Sequence, residues 1–99
     1  MGGVALVTGA RRGIGKAIAV ALADAGFDVA LCDLSLSDDL QAAAAEITAK
    51  GRKGVAIAGD ISKIEDHAGM LDRAEAALGP ITTLVNNAGG LCYGAWRPP

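Results

Sequence analysis

Four short apolar runs divide the chain: VALVT at Val4–Thr8, DVALCD at Asp28–Asp33, GVAIAGD at Gly54–Asp60 and TTLVNN at Thr82–Asn87. Runs of this length that are apolar throughout read as strands covered on both faces, the state of strands in a parallel sheet. Between them the period changes to a helical one. Ile14, Ala17, Ile18, Ala21, Leu22 and Ala25 form one apolar stripe, and Gly26 follows at the position of a helix-terminating glycine. Leu40, Ala43, Ala44 and Ile47 form a second stripe, with Ser35 and Ser37 as candidate N-caps. Ser62 with Glu65 has the spacing of a capping box and opens a third helix, expected from Lys63 to Leu78 and stopped by Gly79-Pro80. Strands alternating with helices through short connections give right-handed crossovers, and so an α/β fold with one parallel sheet and helices on both faces.

Composition narrows the class of function. The chain has 99 residues, which is one domain or less. Its formal net charge is −2, and its scattered basic residues form no stripe able to neutralise a phosphate backbone, so nucleic acid is not an expected partner. The N-terminal run breaks at Thr8-Gly9 and has no basic flank, so neither a secretory signal nor a membrane span is expected; a cytoplasmic location follows by default. Cys32, Cys92 and His67 lack metal-site or redox spacing, so no metal is expected.

The turn TGARRGIG, residues 8–15, joins the first strand to the first helix. There the helix's first N–H groups and its dipole face the strand's end and favour an anion. Gly9 permits a sharp exit, while Gly13 and Gly15 remove side chains where a ligand or the sheet comes close. A triphosphate-binding Walker loop is disfavoured, because Ala10 stands where its first glycine belongs and Ala17 replaces its hydroxyl. The common dinucleotide fingerprint also fails, since the spacing is G-x-x-x-G-x-G. Alone, three glycines in seven residues are weak evidence, and a tight connection that binds nothing is the alternative. Asp33, however, closes the second run at roughly the 20-residue interval where dinucleotide-binding units place an acid for the ribose hydroxyls. Asp60 closes the third run and Asn86-Asn87 the fourth, so every strand delivers polar residues at its carboxyl end.

Together, TGARRGIG, Asp33, Asp60-Ile61 and NNAG at 86–89 resemble the short-chain dehydrogenase/reductase family, whose own glycine spacing is the one found here. Within the family, the chain is most similar to reductases of the 3-oxoacyl-acyl-carrier-protein type and their sugar- or alcohol-dehydrogenase relatives. The resemblance implies a Rossmann-type doubly wound parallel sheet, truncated after its fourth strand, that binds a nicotinamide dinucleotide. It implies that Gly9, Gly13 and Gly15 form the pyrophosphate turn, with the backbone of Arg11, Arg12 and Ile14 along the phosphates and ribose. Asp33 would hold the adenosine ribose, Leu34 would lie near the adenine, and Asp60 with Ile61 would contact the adenine. Asn87, Ala88 and Gly89 would pass the cofactor riboses, and Asn86 would tie the central strands. In this family a basic residue before the second glycine, here Arg12, accompanies NADP, whereas an acid ending the second strand, here Asp33, accompanies NAD. A carboxylate facing the extra phosphate of NADP is a like-charge contact that an exposed arginine offsets only in part, so NAD is preferred and NADP is the alternative.

The resemblance also implies chemistry for which this chain offers no residues. The family uses a serine and a Tyr-x-x-x-Lys pair beyond the fourth strand. Tyr93 is the sole tyrosine, Arg97 stands four residues later, and both come too soon after NNAG; no catalytic residue is assigned. The whole chain, 1–99, is therefore expected to be a partial dinucleotide-binding domain ending in an irregular tail, 90–99, whose GLCYGAWRPP departs from the family as a frameshift product would. The family's dimer interface would be missing. Leu84 and Val85 would lie in an exposed edge strand that invites self-association. Three readings stay open: the cofactor-binding part of an oxidoreductase, a non-enzymatic dinucleotide-binding or chain-pairing module, and a truncated product without function.

Overall fold

The computed structural model describes residues 3–10, 13–60 and 63–85, apart from the side chain of Ile64. Its elements run β1 (Val4–Thr8), α1 (Gly13–Asp24), β2 (Asp28–Asp33), α2 (Asp38–Ala49), β3 (Gly54–Ala58), α3 (Ile64–Leu78) and β4 (Thr83–Val85). The strands form one sheet in the order β3-β2-β1-β4, with every neighbouring pair parallel. The chain thus winds outward from β1 through β2 to β3, and α3 then carries it back to the other side of β1. Strand order reverses between β1 and β4. This is the α/β, Rossmann-like arrangement expected from the alternation of periods.

Each face of the sheet has its own core, because successive side chains of a strand point to opposite faces. Val29 and Leu31 of β2 pack with Val7, Ala19, Ala23, Leu40, Ala43 and Ile47, under α1 and α2. Ala30 and Cys32 turn the other way and pack with Leu6, Ile57, Met70 and Ala74, under α3. β1, at the centre of the winding, is buried along its whole length.

α1 corrects the expected stripe. Gly15, Ala19 and Ala23 are its buried residues, whereas Ile14 is 72% exposed and Ala17, Ala21 and Ala25 are exposed. Ile18 and Leu22 are half-buried at the margin of the contact. The helix is apolar around most of its circumference, so the period fits more than one phase; the sheet selects the phase whose small residues let the helix axis come nearest. Its end does match expectation. Gly26 has φ 102, its N–H donates to Ala23 O at 3.0 Å, and the N–H of Phe27 donates to Leu22 O at 2.9 Å, which is a Schellman closure.

α2 begins at Ser37, whose Oγ accepts from the Leu40 N–H at 3.2 Å, and it buries all four residues of the expected stripe. It lies so near β3 that a Cβ added at Gly54 would meet Ala44 O at 2.6 Å. α3 departs from the expected capping box. Its N-cap is Lys63, with no side-chain cap bond, and Ser62 lies outside the described residues. The acid that reaches back from the first turn is Asp66, not Glu65: its Oδ2 accepts the N–H of Asp60 at 2.9 Å. Two strand bounds also change. β3 stops at Ala58, two residues short of Asp60, and β4 is described over Thr83–Val85 only, leaving Asn86 and Asn87 outside the described residues.

Candidate functional site

The carboxyl ends of the strands lie level, since the register pairs Thr8 with Cys32, Asp33 with Ala58, and Val7 with Val85. The buried Thr8 side chain fixes the point where strand order reverses: its Oγ1 donates to Val85 O at 3.4 Å, joining the end of β1 to that of β4. Immediately beyond, Gly9 has φ 63 and Gly13 has φ 65, a left-handed backbone that residues with a Cβ adopt at a cost. The Ala10 N–H donates to Cys32 O at 3.1 Å, so the turn leaves β1 alongside β2 before α1 begins. Gly15 is buried, and exposed Ile14 stands at the first turn of the helix. Arg11 and Arg12 lie outside the described residues.

Asp33 closes β2 beside this turn. Its Oδ1 accepts the Leu34 N–H at 2.8 Å, and its carbonyl accepts the Gly59 N–H at 2.9 Å. The carboxylate is thereby oriented by the main chain that follows it, at the rim of a cavity of about 30 Å³. Thr8, Gly9, Asp33 and Leu34 line it, together with Cys32, Gly59 and Met70. Leu34 is 69% exposed at the rim, an apolar surface next to an anion. Such a pairing suits a ligand that has both a flat apolar part and hydroxyls, as a nucleoside has.

The part of the lining made by Cys32, Gly59 and Met70 was not foreseen from sequence. Gly59 follows an apolar run and precedes an aspartate, and that context is a usable signal for a close approach; here the approaching group is Met70, whose Sδ occupies the space a Cβ on Gly59 would take. Met70 itself carries no signal, being one apolar residue on an amphipathic helix. Burial pushes the Cys32 thiol up to about 12, with nearby Arg73 lowering it and Asp33 raising it. The group therefore stays a neutral thiol at physiological pH and serves as packing.

Asp60 does not line the cavity. It stands past the end of β3, its N–H donating to Asp66 and its carbonyl accepting from the Lys63 N–H at 2.9 Å. Ile61, Asn87, Ala88 and Gly89, together with Tyr93, Arg97 and the tail 90–99, lie outside the described residues. The structure thus brings Gly9, Gly13, Gly15, Asp33 and Leu34 to one edge, with Asp60 nearby in the next connection. Among the described residues, no helix is long and apolar enough to cross a membrane, and no three potential metal ligands cluster.

A turn of this glycine spacing at the reversal of strand order, followed by an acid at the end of β2, is matched by a family model described as short chain dehydrogenase, over residues 3–97. The chain belongs to the short-chain dehydrogenase family. Among curated family members, a short-chain dehydrogenase/reductase of Armillaria gallica is 48% identical over 89 residues, covering 89% of this chain and 34% of the relative. A 3-oxoacyl-[acyl-carrier-protein] reductase of Staphylococcus epidermidis is 41% identical over 85 residues, covering 86% and 35%. Among solved structures, a blue fluorescent protein from a metagenomic library, in complex with NADPH, superposes with a TM-score of 0.83 at 41% identity, over 89% of this chain and 36% of its own. The chain spans about a third of the length of the relatives it matches.

Proposed function

We propose that this chain is the nicotinamide-dinucleotide-binding N-terminal part of an oxidoreductase acting on an alcohol or ketone, and that alone it does not turn over substrate. One observation carries the reading: the left-handed turn at Gly9 and Gly13 and the oriented carboxylate of Asp33 share one sheet edge, at the reversal of strand order. The residues fit such a cofactor. The opening of α1 offers N–H donors and a positive dipole end to the pyrophosphate, with Gly9, Gly13 and Gly15 keeping the approach clear and Arg11, Arg12 and Ile14 beside it. Asp33 accepts from the adenosine ribose, Leu34 covers the adenine, and Asp60 and Ile61 bound it; Asn87, Ala88 and Gly89 are assigned to the riboses. When bound, the nicotinamide would supply or accept hydride. This chain's part is to hold and orient it, since the sole tyrosine, Tyr93, comes too soon after NNAG to match the family's and has Arg97, not lysine, four residues on.

NAD is the preferred form: Asp33 lines the cavity, and with the adenosine ribose held there its carboxylate would repel the added phosphate of NADP. Titrating the chain with NADH and NADPH, followed by fluorescence, tests both levels of the claim. Binding of NADH in preference to NADPH is expected. Binding of neither would refute a cofactor-binding role, and tighter NADPH would reverse the choice.

A second reading, a chain-pairing module, is favoured by β4. Among the described residues β4 pairs with β1 alone, and its Leu84 and Val85 are only half-buried. An open strand edge next to apolar side chains recruits another strand. Gel filtration is expected to show dimers or larger species growing with concentration; a monodisperse monomer with a sharp two-state melt would count against pairing.

A further inference from the structure

α3 is joined to the end of β3 by more than packing. Asp66, Met70 and Arg73 are spaced i, i+4 and i+7, so they share one face of the helix, and each meets a consecutive part of the segment 58–60. Arg73 Nη2 donates to Ala58 O at 2.7 Å, Met70 fills the space beside Gly59, and Asp66 Oδ2 accepts the Asp60 N–H at 2.9 Å. The peptide between Ala58 and Gly59 is held from both sides. Its N–H points inward to Asp33 O at 2.9 Å. In a trans peptide the carbonyl then points the opposite way, off the outer edge of the sheet, where no strand pairs with β3 among the described residues. That is the carbonyl the Arg73 guanidinium takes, with Arg73 Nε braced on Gly69 O at 3.3 Å. The inner partner of the same peptide is the main chain of Asp33, the residue that orients its carboxylate over the cavity.

We propose that Asp66 and Arg73 are positioning residues for the adenine end of the site: they fix the Ala58–Asp60 backbone from α3, and through the Gly59 N–H they fix Asp33. The proposal rests on the cofactor reading above, and its test separates the two. Residue-resolved amide exchange on the ligand-free chain reports the backbone directly, and titrations with AMP and NADH report the site. With Asp66→Ala, exchange at Asp60 is expected to speed up about tenfold, and AMP and NADH to bind roughly three- to tenfold more weakly. Asp66→Asn keeps an acceptor oxygen and should restore both, whereas a role confined to charge at the helix N-terminus would leave it as impaired as the alanine variant. Arg73 is exposed, so Arg73→Ala should fold normally; it should raise exchange at Gly59 and weaken AMP binding about threefold. If Asp66→Ala proves unfolded, the Asn and Arg73 variants decide. Unchanged exchange, or faster exchange with AMP affinity equal to wild type, would overturn the positioning role alone. Wild-type chain that binds neither AMP nor NADH would overturn the cofactor reading, and this proposal with it.

Discussion

Replacing Gly54 by alanine is expected to lower the melting temperature by roughly 10–20 °C, corresponding to a loss of about 3 kcal/mol in a domain of this size. The added Cβ would lie 2.6 Å from Ala44 O and 2.7 Å from Ile47 Cβ. Neither neighbour can yield cheaply. The first is helix main chain, and the second belongs to a side chain buried completely in the core. Relief requires lifting α2 from β3, which loosens Leu40, Ala43 and Ile47 together. Gly69→Ala is the control of opposite sign. Gly69 lies inside α3, a Cβ there meets nothing within 4 Å, and a helix-interior alanine should stabilise by about 0.5–1 kcal/mol. Thermal melts of the two variants should therefore move in opposite directions. A Gly54→Ala chain that melts with the wild type would mean that α2 does not sit so close to the sheet.

The second large effect is on cofactor choice. On the proposed reading, Asp33→Ala is expected to weaken NADH roughly ten- to a hundredfold, because the two hydrogen bonds that ribose hydroxyls would give its carboxylate are lost. NADPH should hold or gain affinity, since removing the carboxylate also removes its repulsion of the added phosphate. Asp33→Asn separates charge from geometry. The amide can still accept the Leu34 N–H that orients the side chain at 2.8 Å, so the turn should persist while the repulsion disappears. Equal losses for both cofactors in the alanine variant would mean that Asp33 shapes the turn and does not choose the cofactor.

The elements that could be read from sequence are those set by local pattern. β1 and β2 begin and end where the apolar runs do, and the Gly26 closure and the Ser37 cap are complete within a few residues of chain. What the sequence hid depends on partners distant along the chain. The buried face of α1 could not be chosen, since Ile14, Ala17 and Ala21 suit a core as well as Gly15, Ala19 and Ala23 do; the closeness of the sheet decided it. The helix α3 lies where its pattern predicts, and only its opening differs, for a related reason. Ser62 and Glu65 satisfy a local rule, but Asp66 answers an N–H left by Asp60, on the far side of the connection. In the candidate site, glycines and acids at strand ends are visible because their chemistry is unusual, whereas Cys32, Gly59 and Met70 are ordinary packing that joins the cavity lining only in three dimensions.

The phase of α1 has one more implication. Its buried residues, Gly15, Ala19 and Ala23, carry at most a single side-chain carbon, with Ile18, Val20 and Leu22 packed half-buried beside them, so the closest approach of helix to sheet is gauged by a methyl group. Gly13 lies only about 9 Å along the axis from Ala19, at 1.5 Å per residue, and Gly26 closes the other end. A shim inserted under the middle of this helix would tilt its opening turn away from the end of β1. The clearance at the proposed anion site is thus set in part at Ala19 and Ala23, on the sheet-facing side of the helix and outside the residues proposed to meet the cofactor.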